Sequence, residues 1–157
     1  KLYRSNPEEN EFAGEYQEYE NELREAGVEI LHNDFSKLKV GKTGITVYGL
    51  EIPLIYYKKP FSPRLHTEEV RELIGEPSED SLNILLAHSP KYGDTYFDWG
   101  ADLVLAGAGD RKQGDRGDFH RGSQHMLVSA GAGEHTIPVR IHNPREVLIV
   151  DLKPYLR

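Results

Sequence analysis

The chain has 157 residues, enough to bury a real core and few enough for one domain spanning 1–157. With 38% hydrophobic and 29% charged residues it is polar but not compositionally disordered, and a net charge of −7 argues against a general nucleic-acid or anionic-membrane surface, leaving only local basic patches open. Having no cysteine excludes disulfides and thiolate metal sites and leaves the compartment open; no apolar run approaches a membrane span, and no signal peptide is visible. The first residue is Lys1 rather than Met, from which we expect a segment upstream.

Asn6-Pro7-Glu8-Glu9 reads as a helix start: Asn can cap, Pro fits the first helical position, and two acids sit near the positive end of the dipole. Phe12, Tyr16, Tyr19, Leu23 and Ala26 then form one apolar stripe, and Gly27 is placed to close the helix. The glutamates between read as a solvated face. Val28–Leu31 reads as a short strand. Phe35–Val40 and Ile45–Leu50 flank Gly41-Lys42-Thr43-Gly44 and predict a hairpin. Pro53 to His66 is irregular, with Tyr56-Tyr57-Lys58-Lys59 either a packed surface loop or a grip for a phosphate or base.

Thr67-Glu68-Glu69 starts a second helix with Val70, Leu73 and Ile74 inward and Gly75 ending it. A turn follows from Pro77 to Ser81. The chain is organised around the next stretch, Asn83 to Asp110. Two brief apolar runs, Asn83–Pro90 and Ala101–Asp110, read as buried strands, with Tyr92, Tyr96 and Phe97 packing between them. In open α/β sheets ligands collect beyond the carboxyl ends of parallel strands, which directs attention to His88 and to Gly107–Asp110. Arg111 to Gln124 reads as a polar loop, Met126–Ser129 as a strand, Gly131-Ala132-Gly133 as a tight backbone passage, and Val139–Ile141 and Val147–Leu152 as strands.

Isolated motifs decide little. Gly41-Lys42-Thr43 lacks the rest of a phosphate loop, and Gly131-x-Gly133 is half of a dinucleotide fingerprint in the wrong context. No Gly-x-Ser-x-Gly elbow is present. Among the histidines only His120 and His125 hint at ligand spacing; Asp115 and Asp118 could join them and Asp110 in an oxygen and imidazole cluster. Arg116-Gly117-Asp118 is an Arg-Gly-Asp tripeptide, an integrin-type signal only if displayed on a loop.

An ordered run of motifs is more specific. Leu85-Leu86-Ala87-His88-Ser89-Pro90, Ala101-Asp102-Leu103-Val104-Leu105-Ala106-Gly107, Val128-Ser129-x-Gly131-x-Gly133-x-His135-Thr136-Ile137-Pro138-x-Arg140 and Asn143-Pro144-x-Glu146 together resemble the C-terminal part of a calcineurin-like metallophosphoesterase, in the small bacterial phosphodiesterase group. The likeness runs from about Glu15 onward. It implies an α/β fold: the C-terminal half of a four-layer α-β-β-α sandwich, with a mixed sheet and helices on one face. It also implies two divalent metal ions (Mn, Zn, Fe or Mg) at the strand ends. Such a pair lowers the pKa of a bound water and neutralises phosphoryl charge during phosphate ester hydrolysis.

In that family the ligands come from an Asp-x-His, a Gly-Asp, a Gly-Asn-His, a His after a strand and a Gly-His-x-His. The resemblance makes His88 the His after the strand, as metal ligand and catalytic residue. It makes Asp110 a replacement metal ligand, since Gly107-Ala108-Gly109-Asp110 stands where Gly-His-x-His is expected. His135 is a further catalytic candidate. The first three motifs belong to an N-terminal half that this sequence lacks. Three expectations follow: a phosphoesterase piece completed by a missing N-terminal half, a non-catalytic homologue acting by binding, or a chain that pairs with a second copy as a homodimer.

Overall fold

The computed structural model describes residues 13–58, 61–107, 116–129 and 146–153. Helix α1, Ala13–Glu25, closes as its glycine predicts. Gly27 takes φ 86°, its N–H reaches Arg24 O at 2.9 Å, and the Val28 N–H reaches Leu23 O at 2.9 Å. These two bonds form a Schellman cap. The cap takes up the Val28 N–H, and the expected strand Val28–Leu31 does not form. Asn33 turns the chain with φ 49°, and its Oδ1 accepts the Glu51 N–H at 2.7 Å.

The predicted hairpin follows. Strand β1, Asp34–Val40, pairs antiparallel with β2, Thr43–Leu50, with Val40 opposite Thr43. The turn is therefore Gly41-Lys42 alone, with Gly41 at φ 61° where a two-residue turn requires a positive φ. A 3₁₀ turn, Leu54–Tyr57, leads to helix α2, Thr67–Ile74. Strand β3, Leu82–Ala87, a second 3₁₀ turn, Pro90–Tyr92, helix α3, Gly93–Trp99, and strand β4, Leu103–Gly107, fill the central stretch. Last come β5, Gly117–Arg121, and β6, Gln124–Ser129.

The six strands form one mixed sheet in the order β1-β2-β3-β4-β6-β5. Strands β2, β3, β4 and β6 are parallel, and β1 and β5 are antiparallel edges. The crossovers through α2 and α3 advance in one direction across the sheet. Crossovers of one hand then place both helices on one face, and both helices share a single buried core with the sheet.

Side-chain alternation assigns the two faces. On the helix face Tyr48 and Leu50, Leu85 and Ala87, Val104 and Ala106, and Met126 and Val128 meet Val70 and Ile74 of α2 and Tyr96, Phe97 and Trp99 of α3. Aromatic rings dominate. Tyr48 and Trp99 meet edge to face at 4.8 Å, and the Trp99 indole N–H donates to Gly75 O at 2.8 Å, so its burial leaves no orphan donor. Tyr96 and Tyr92 likewise donate their hydroxyls to Ser89 O and Tyr56 O.

The second face carries Leu38, Val40, Val47, Ile84, Leu86, Leu103, Leu105 and Leu127. Its centre is closed, with Ile84 and Leu103 buried, but Leu38 is 50% and Val40 65% exposed. Leu31 lies against this face at Gly49, where a Cβ would stand 2.5 Å from the Leu31 Cβ. Only glycine lets the two approach so closely.

Three further expectations change. Residues 117–121, expected in a loop, form edge strand β5; every residue in it is exposed, so its polarity is that of an edge and not of a loop. Val147–Leu152 joins no sheet among the described residues, and Ile149 is 94% exposed. On α1 only part of the apolar stripe, Tyr16 and Leu23, turns inward. Tyr19 is exposed, and Glu20, expected in solvent, is 8% exposed. The expected strand Val139–Ile141 and the Gly131–Gly133 passage lie outside the described residues.

Candidate functional site

The parallel strands end together, and their carboxyl edge is the place where side chains of chemical interest meet. Glu51 follows β2, His88 follows β3, Gly107 ends β4 and Ser129 ends β6 opposite it. His88 is exposed, its ring 5.9 Å from that of Tyr57 and tilted 48° to it. Gly107 leaves room beside it: a Cβ there would stand 3.7 Å from His88 Nδ1. Burial, then the charges of neighbouring Tyr92 and Glu51, push the Tyr57 hydroxyl above its ordinary pKa, so it stays protonated as a donor.

Behind this edge His32 bridges two carboxylates. Its Nδ1 lies 2.7 Å from Glu51 Oε1 and its Nε2 2.8 Å from Glu20 Oε1. Arg24 adds a bond to Glu20 at 3.2 Å. Burial alone would raise the Glu20 pKa. Hydrogen bonds from Tyr16, Arg24 and His32, with the His32 charge, outweigh it and hold the carboxyl below its ordinary value. Sequence reasoning missed Glu20, Glu51, His32 and Tyr57 as a group. The two carboxylates that His32 bridges are 12 and 19 residues from it in sequence, and no local spacing marks them.

An open cleft of about 360 Å³ lies on the helix side, lined by Ser62, Arg64, Lys91, Tyr92, Asp94 and Thr95. The Lys91 ammonium is held by the Ser62 hydroxyl and stands 5.0 Å over the Tyr92 ring. Of the aromatic and lysine run before it, Tyr56 is a core residue whose hydroxyl donates to Glu69.

The other sequence candidates separate. Asp110, His135 and Asp115 lie outside the described residues. Asp118, His120 and His125 come together, but on the β5–β6 hairpin. There His125 is opposite Leu103, at the start of β4 and the far edge of the sheet from His88. Asp118 belongs to strand β5 and faces His125, so the Arg-Gly-Asp tripeptide is not at a loop tip.

Among the described residues no group of three or more His, Asp or Glu side chains is placed to hold a metal ion. No helix among them is long and apolar enough to cross a membrane. The fold and this edge define an α/β protein with a six-stranded mixed sheet, helices α2 and α3 on one face, and a histidine at the mouth between two parallel strands. No family model, curated protein or solved structure matches the chain.

Proposed function

We propose that this chain is the C-terminal half of a metallophosphoesterase-type sandwich and serves the metal-dependent hydrolysis of a phosphoric ester. The observation that carries the reading is the position of His88. It stands exposed at the carboxyl end of β3, over side-chain-free Gly107, where an open parallel sheet collects its ligands. The motif run from Leu85 through Gly107 to Glu146 supports it on the sequence side.

The described donor set does not fit a metal centre by itself. One exposed imidazole without a converging carboxylate is short of the three or four ligands that a stable site needs. The chain would therefore contribute His88 to a site completed by Asp110 and by an N-terminal half. The Tyr57 ring stands beside the His88 ring, and the separate helix-side cleft holds two cations, Arg64 and Lys91, beside one acid, Asp94.

The test compares two proteins on an aryl phosphodiester with Mn²⁺ or Zn²⁺: this chain, and the chain extended by the reading frame upstream of Lys1. The extended protein should turn over the ester in a metal-dependent way, and His88→Ala should lower its kcat at least a hundredfold. The shorter chain should do no better than its own His88→Ala control. An inactive extended protein, or one indifferent to His88→Ala, sinks the proposal.

A second reading rests on the second sheet face. Leu38, Val40 and Leu86 lie exposed there, which suits a non-catalytic module that associates with a second copy of itself.

A further inference from the structure

We propose that the β5–β6 hairpin carries a surface site for one divalent transition ion of the imidazole-favouring class, bound by His120 and His125, with Asp118 orienting the second ring. The local sequence builds the arrangement. Gly122-Ser123 makes a two-residue turn with Gly122 at φ 64°, as the first central position of such a turn requires. That turn sets Arg121 opposite Gln124 and His120 directly opposite His125. Side-chain alternation then puts Asp118, His120 and His125 on one face of the ribbon.

The ring centres of His120 and His125 are 6.0 Å apart, with the planes tilted by 32°. An ion about 2 Å from a nitrogen of each ring lies roughly 3 Å from each ring centre, so this separation spans one ion. Asp118 supplies the orienting contact: its Oδ1 and Oδ2 lie 3.0 and 3.2 Å from His125 Nδ1. A carboxylate there takes the Nδ1–H, fixes that tautomer and leaves the Nε2 lone pair for a metal. His125 and Asp118 are each about half exposed, so an ion can enter. The overall charge of −7 favours a cation.

Two direct donors fall short of a closed shell, so water completes it and the ion exchanges readily. Imidazole pairs select Zn²⁺, Cu²⁺ or Ni²⁺ over Mg²⁺ or Ca²⁺. The site is on the far edge of the sheet from His88, and it stands whether or not the phosphoesterase reading does.

The experiment titrates Zn²⁺ into tag-free chain, followed by calorimetry and by the ring ¹⁵N resonances of the histidines. One ion per chain is expected. Resonances of His120 and of His125 Nε2 should shift while the His125 Nδ1–H is retained, and Mg²⁺ should shift neither. His120→Gln or His125→Gln should weaken binding at least tenfold, and Asp118→Asn by about tenfold. Zn²⁺ shifts confined to His88 or to other histidines, or binding unchanged in the doubly substituted His120→Gln, His125→Gln chain, would overturn the proposal. The ring resonances of the unsubstituted protein decide it even if a variant fails to fold.

Discussion

Glu69 shows how one side chain ties a loop to a helix. Its carboxylate accepts the Tyr56 hydroxyl and, at 2.9 Å, the His66 N–H that precedes α2. The Tyr56 bond first, then the His66 bond, hold its pKa below the ordinary value despite burial. The same bond with Glu69, then burial, pushes Tyr56 up to about 12. The signs follow from proton linkage. A carboxyl with a lowered folded pKa gives stability that is present above its unfolded value and lost as pH falls through the folded one. A tyrosine raised to about 12 gives stability that is present below about 10 and lost as pH rises from there toward 12. The melting temperature should therefore fall at both extremes, and Tyr56→Phe should flatten both limbs while lowering the plateau between them. Parallel melting curves of the two proteins across pH 3 to 12, with no difference in shape, would refute the coupling. Nothing in the local sequence marks Tyr56 as this partner. It sits in Tyr56-Tyr57-Lys58-Lys59, where sequence alone leaves a packed loop and a phosphate grip both open.

Elements with a strong local cue were legible, and those defined by a distant partner were not. Gly27, Gly41 and Gly75 marked real ends, and Val70 and Ile74 of α2 are buried as their spacing requires. The strands β3, β4 and β6 announce themselves as apolar runs because apolar side chains point to both of their faces. Strand β5 stayed hidden because Gly117-Asp118-Phe119-His120-Arg121 is an exposed edge paired on one side only. Helix α1 was found but rotated: its inner face runs through Tyr16, Glu20 and Leu23, because Glu20 meets His32 and not an apolar core. The bridge Glu20–His32–Glu51 is thus what ties α1 to the end of β2. Breaking it should cost about 2–3 kcal/mol, the scale of hydrogen bonds to charged groups, one of which leaves buried Glu20 short of a partner. His32→Ala should lower the denaturation midpoint accordingly and speed amide exchange across Ala13–Glu25 more than across β3 and β4. Uniform protection in α1 after the substitution would show that other contacts hold the helix.

At the scale of the whole molecule the unresolved asymmetry lies between the two faces of the sheet. Helices α2 and α3 seal one face, with Val70, Leu85, Val104 and Trp99 almost wholly excluded from water. On the other, burial at Ile84 and Leu103 gives way to exposed Leu38, Val40 and Leu86 within the same six strands. Fully burying a Leu or Val is worth about 1.5–3 kcal/mol, a large fraction of the margin by which a domain is stable. A sheet with an apolar second face gains most by packing against another sheet, about 10 Å away and nearly aligned. Two copies related by a two-fold axis would supply that partner from identical surfaces. We therefore expect light scattering at micromolar concentration to give twice the 17.8 kDa of one chain. Leu38→Lys with Leu86→Lys should return the mass to that of a monomer while the helix-face core, and with it the near-ultraviolet signal of Trp99, is kept. A monodisperse monomer that unfolds cooperatively before any substitution would rule the pairing out.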